Sequence, residues 1–156
     1  MIWYRIDERL VHGQIIEAWL PYLKASCLVI ANDGLLGNDL RRHIMLMAVP
    51  SKVRTEFLSL KELPSFLASF QESRLNALIL FAACGDAQRA YALGVPMEVC
   101  NIGNIHYSAE KRRLSAHVAI SPEEESCLRF LQNQGVMLDF RSVPADRPAL
   151  EDWQTP

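Results

Sequence analysis

The stretch Ile2-Trp3-Tyr4-Arg5-Ile6 followed by Asp7-Glu8-Arg9-Leu10-Val11-His12-Gly13-Gln14 sets the first unit of the fold. Apart from Arg5, residues 2–6 are an apolar run of β-branched and aromatic side chains, the composition of a buried strand. From residue 10 the period changes. Val11, Ile15, Ala18, Trp19 and Tyr22 recur at helical spacing, which predicts a helix over 10–23 with that stripe against a core. Strand, charged loop and helix together open a βα unit.

The loop gathers an imidazole, two guanidiniums, two carboxylates and a glycine within ten residues, from Arg5 to Gln14. A neutral imidazole nitrogen attacks phosphorus well and also leaves well, so His12 suits the receipt and onward transfer of a phosphoryl group. Arg9 and Arg5 offer planar forks that match phosphate oxygens as lysine cannot. Arg5 has an alternative role as a strand-end salt bridge to Asp7 or Glu8. Asp7 can cap the helix, or orient the imidazole by accepting its second ring N–H. Gly13 lets an anion approach the backbone N–H groups at a helix start. Gln14 either donates to that phosphate or faces solvent. His12 and Arg9 are thus the candidate catalytic residues, with Arg5, Asp7, Gly13 and Gln14 as candidate phosphate-site residues.

Working outward, further strands are expected over 26–31, 52–58, 77–81, 98–102, 114–119 and 136–143, and helices over 36–47, 61–70, 86–93 and 122–134. Ser121-Pro122-Glu123-Glu124 predicts a capping box with proline at the first helical position, and Gly135 a left-handed stop. Ser59 and Glu62 offer a second box, with Pro64 close by. The alternation predicts a single α/β domain over 1–156, with a largely parallel central sheet and helices on both faces. In such sheets ligands collect beyond the carboxyl ends of the strands. The loops after the first, second and fourth strands (7–13, 32–34 and 82–86) are therefore expected to converge near His12.

Composition narrows the function. The 156 residues carry 16 basic and 18 acidic side chains for a net charge of −2, so there is no nucleic-acid footprint. The run Lys111-Arg112-Arg113 reads as a solvated face or as a dock for an acidic partner. Cys27, Cys84, Cys100 and Cys127 match no zinc or disulfide spacing, and Cys27 and Cys100 sit in apolar runs as small buried hydrophobes. With no signal peptide and no apolar stretch of about 20 residues, the expected home is the cytoplasm. No histidine and carboxylate have metal-ligand spacing such as HExxH, so neither a metal nor another cofactor is expected. His43 reads as a surface residue, and His106 and His117 as structural ones.

Arg5-Ile6-Asp7-Glu8-Arg9-Leu10-Val11-His12-Gly13-Gln14 resembles the active-site segment of the IIB subunits of the mannose/sorbose family of the bacterial sugar phosphotransferase system. The resemblance continues through Asn32-Asp33, Met47-Ala48-Val49-Pro50, Asn101-Ile102-Gly103-Asn104 and Gly135-Val136, and so runs along most of the chain. Glu8 stands where the family usually has a second aspartate and keeps the charge. Asn104 stands where it usually has a second glycine, and asparagine tolerates positive φ better than other non-glycine residues. The resemblance implies a phosphocarrier that takes a phosphoryl group on His12 from a phosphorylated IIA protein. It then implies transfer to a sugar during uptake through a membrane permease of IIC and IID subunits, which would hold the carrier peripherally at the inner membrane.

Two other readings use the same residues. A regulatory protein could report its phosphorylation state through His12 without transport; permease genes beside its own would favour transport. A phosphatase or mutase with a phosphohistidine intermediate commonly has arginine directly before the histidine, whereas Leu10 and Val11 intervene here. Sugar choice would belong to the permease, and nothing in the pattern selects an oligomeric state.

Overall fold

β1 (Ile2–Asp7) lies in the interior of a six-stranded sheet, between β4 (Ala77–Phe81) and β5 (Val99–Asn104). With β2 (Cys27–Ala31), β3 (Arg54–Leu58) and β8 (Met137–Asp139), the order is β3-β2-β4-β1-β5-β8, and every neighbouring pair is parallel. The computed structural model describes residues 1–71, 75–147 and 153. A two-stranded antiparallel ribbon joins β6 (Arg112–Arg113) to β7 (Ala119–Ile120).

Strand periodicity divides the core in two. Tyr4, Ile6, Val29, Ile79, Phe81, Cys100 and Ile102 point to one face, where α3 (Leu63–Gln71), α4 (Cys84–Ala92) and α5 (Pro122–Asn133) cover them. Leu28, Ile30, Leu78 and Leu80 point to the other, against α2 (Asp39–Ala48) and the first helix. The expected α/β architecture with helices on both faces is what forms. On β1 the same alternation sends Arg5 and Asp7, out of phase with Tyr4 and Ile6, to the face that carries the first helix.

That first helix departs from expectation. Leu10 adopts a left-handed conformation (φ 56°) and its N–H closes a turn onto the Asp7 carbonyl, so regular structure starts only after His12. Residues Ile15–Trp19 then form a π-type turn that runs into α1 (Leu20–Leu23). The wider turn advances the register, so Ile15, Trp19, Leu20 and Leu23 are buried while Tyr22, expected in the stripe, is exposed. Leu10 anchors the loop in the core and Val11 stays half-buried.

Two strand expectations are also corrected. Instead of a strand over 114–119, Ser115 Oγ accepts the N–H groups of His117 and Val118 and bends the chain between β6 and β7. The last strand stops at Asp139 rather than 143, because its carboxylate takes the Arg141 N–H and the Asp146 carboxylate takes those of Ser142 and Val143. Both capping boxes form, at Ser121/Glu124 and at Ser59/Glu62, and Gly135 (φ 88°) ends α5. Asn104 lies in extended β5, so no left-handed conformation is asked of it. The 111–113 run is neither a bare face nor a free dock: Lys111 bridges Glu8 and Glu124, Arg112 pairs with Glu125, and Arg113 lies over Tyr107.

A candidate active site at His12

The carboxyl end of β1 delivers Asp7, and the turn that follows brings His12 back over it. His12 Nε2 lies 2.9 Å from Asp7 Oδ2, while Asp7 itself is fully buried. Burial pushes the Asp7 carboxyl up, but the His12 hydrogen bond and the Arg5 charge together hold it below its ordinary value. An ionised carboxylate only accepts, so the ring proton sits on Nε2. In the neutral ring Nδ1 then keeps its lone pair, and it has no hydrogen-bond partner among the described residues. The imidazole is partly exposed at the carboxyl edge of the sheet.

Beside it the backbone changes direction. The His12 carbonyl accepts from Ile15 N and Ile16 N, which begins the helix. The N–H groups of Val11, His12, Gly13 and Gln14 have no acceptor among the described residues. Successive free donors at a helix start make a concavity for an anion, and Gly13 leaves it open, with nothing within 4 Å of where a Cβ would stand.

Behind Asp7 lies a buried scaffold. Arg5 is fully buried; its Nε and Nη2 donate to Asp7 Oδ2 at 3.2 and 2.8 Å, and Nη1 donates to Asn101 Oδ1. Its Cζ sits 5.0 Å from the centroid of the Trp19 ring. Burial draws the guanidinium down from its usual value, and Asp7 acts against that. Gly103 makes room for it, since a Cβ there would fall 1.8 Å from Arg5 Cζ. Of the two roles open to Arg5, the ion pair is the one the fold provides. Its donors are turned to Asp7 and Asn101 rather than to solvent.

Arg9 takes the exposed position instead. Its N–H and Nε approach Asp7 Oδ1 at 3.1 and 3.4 Å, and Nη2 donates to Gln14 Oε1 at 2.8 Å. Gln14 therefore does not simply face solvent; its amide also donates to Ser142 Oγ. On the other flank Glu8 reaches His106 Nδ1 at 2.9 Å, and the Asn104 carbonyl accepts the Glu8 N–H.

All six residues expected at the site fall in this one region. β2 and β4 end on the same edge as β1, where Asn32 bonds Asp86 and Asp33 bonds Arg89. The side chains that join the site come from the β5 and β8 side: Asn101, Ser142 and the Arg141–Asp139 pair. Asn101 and Gly103, polar or small in an apolar strand, entered the sequence reading only through the family resemblance, not as residues of the site. Ser142 carried none. His43 and His117 are exposed and outside the site, and no cluster of metal ligands occurs among the described residues.

The model of the sorbose-subfamily IIB component of the phosphotransferase system matches residues 1–154. The chain is 26% identical over 149 residues to the fructose-specific EIIB component of Bacillus subtilis (strain 168), covering 96% of this chain and 90% of the relative. It is 26% identical over 147 residues to an N-acetylgalactosamine-specific IIB component (component 2) of Escherichia coli (strain K12), covering 94% and 92%. The crystal structure of the IIBSor domain of the Klebsiella pneumoniae sorbose permease superposes with a TM-score of 0.87 at 28% identity, over 96% of this chain and 92% of that one. A fold that carries its histidine on the first βα loop and a match along nearly the whole length lead to one conclusion: the chain belongs to the sorbose subfamily of phosphotransferase-system IIB components.

Proposed function

We propose that the protein is a cytoplasmic phosphocarrier that accepts a phosphoryl group on His12 Nδ1 from a phosphorylated IIA protein and passes it to a sugar at a IIC/IID permease. The observation that carries this reading is the split imidazole: Nε2 is tied to buried Asp7, and among the described residues Nδ1 and the N–H groups of residues 11–14 have no hydrogen-bond partner. As the donor's P–N bond breaks and the bond from Nδ1 to phosphorus forms in line, the ring becomes cationic, and Asp7 stabilises that charge. The backbone donors and Arg9 face the oxygens of the group in flight. In the second step a sugar hydroxyl attacks phosphorus and His12 leaves as neutral imidazole. No metal is needed at either step. The relatives are named for fructose, N-acetylgalactosamine and sorbose, so the family does not set the sugar. No helix among the described residues is long and apolar enough to cross a membrane.

Reconstitution tests the transport route. Sugar phosphate should form only when the phosphorylated donor, this protein and permease membranes are combined. Label that reaches His12 but never a sugar in the presence of the permease would favour a regulatory role instead.

Arg9 separates positioning from charge. Arg9→Lys keeps a cation but loses the planar fork, so transfer should slow by about 10²–10³ with the fold intact. Rapid-quench transfer at the wild-type rate would remove Arg9 from the mechanism. A variant that instead unfolds early would make the Asp7–Arg9 contact structural.

A further inference from the structure

We infer that Ser142 is a positioning residue for phosphoryl transfer, acting through Gln14 to hold the Arg9 guanidinium at the mouth of the site; the inference rests on the His12 phosphocarrier reading. It follows from donor and acceptor chemistry along a chain of three side chains. Arginine only donates, so the group facing Arg9 Nη2 at 2.8 Å must be the Gln14 oxygen. That choice turns the Gln14 NH₂ toward Ser142, and Nε2 lies 3.3 Å from Ser142 Oγ. Ser142 must then accept. A hydroxyl can do so, whereas alanine or valine cannot.

Ser142 is fixed to serve this purpose. It is 7% exposed. Its N–H and that of Val143 both reach Asp146 Oδ2 at 2.9 Å, and its carbonyl accepts Trp19 Nε1 at 3.0 Å. Trp19 in turn lies under Arg5, so the loop after β8 is keyed to the scaffold that holds Asp7 and His12.

Arg9 is the member of the site that needs such help. Its side chain is 37% exposed, and an exposed arginine samples many rotamers unless both ends of its fork are held. Asp7 holds the Nε end and Gln14 the Nη2 end, leaving Nη1 without a hydrogen-bond partner among the described residues. A fork set in advance loses less freedom when the phosphoryl group arrives, so Ser142 should affect the transfer step more than donor binding.

The test compares Ser142→Thr with Ser142→Val, which match in shape and differ in the hydroxyl, using purified phosphorylated IIA protein and rapid quench. Ser142→Val should slow transfer by about three- to tenfold at saturating donor, the scale of one neutral hydrogen bond, with the donor KM nearly constant. Ser142→Thr should restore the rate. Adding Gln14→Ala to Ser142→Val should cost nothing beyond Gln14→Ala alone, because both cut one chain. The Arg9 Nε–Hε resonance reports independently of turnover; it should shift in the valine variant and return with threonine. Equal behaviour of the valine and threonine variants, or losses that multiply with Gln14→Ala, would overturn the role of Ser142. Absence of label on wild-type His12 would overturn the phosphocarrier reading beneath it. A wild type that labels normally beside an unaffected valine variant would overturn the positioning role alone.

Discussion

Incubated with a phosphorylated IIA donor, the protein should take its label on His12 as an acid-labile phosphoramidate, and His12→Gln should take none. Glutamine can keep an N–H toward Asp7 but offers no ring nitrogen to phosphorus. Loss of a catalytic nucleophile lowers rates by about 10⁴ or more. His106 is tied to the same loop through Glu8, and its Nδ1 is engaged with Glu8 and Asn104. Peptide mapping of the labelled protein decides the matter. Label on His43, His106 or His117, or transfer by His12→Gln at a rate near wild type, would end the assignment.

Gly103→Ala should damage the protein from within. Its Cβ would stand 1.8 Å from Arg5 Cζ and 2.0 and 2.2 Å from the two terminal nitrogens. Arg5 cannot retreat without opening its bonds to Asp7 and Asn101, all of them buried. Breaking a buried ion pair typically costs about 3–5 kcal/mol, and for a domain of this size that lowers the thermal midpoint by roughly 6–20 °C. Where the variant does fold, the displaced Asp7 should also slow transfer. Gly37→Ala is the matched control, since nothing lies within 4 Å of its Cβ position, and its midpoint should stay within a degree or two of wild type, at about 0.5 kcal/mol or less. A Gly103→Ala midpoint equal to that of the control would mean the guanidinium does not occupy that space.

What could be read from the sequence was local or periodic. The continuous apolar runs of β2 and β4 and the two capping boxes depend on neighbours a few residues away, and they formed as read. The His12 segment was legible because strand end, turn and helix start are consecutive. Arg5 was left with two roles, since only the face it takes on β1, and the gap that Gly103 leaves on β5, decide between phosphate and ion pair. The π-type turn was hidden because Ala18 and Tyr22 fit an ordinary helical stripe as well as Trp19 and Leu20 fit the wider one. The early end of β8 depended on Asp139 and Asp146 capturing backbone N–H groups, which a β-rich run does not announce. Ser142 sits 128 residues from Gln14, and no pattern in a single sequence links them.

Because β1 is an interior strand, its place in the sheet has a consequence for synthesis. Ile2 pairs with Ala77 and Tyr4 with Cys100, so the strand that bears the site is made before either of its neighbours. At about 5–20 residues per second, the 128 residues between Gln14 and Ser142 correspond to about 6 to 26 seconds of translation. Until β5 is made Arg5 has no Gly103 to lie over, and until Ser142 is made the Gln14 amide lacks its acceptor. A ribosome-bound fragment that stops before β5 should therefore expose the nucleophile but not the machinery, which should be completed in two stages, at β5 and then at Ser142.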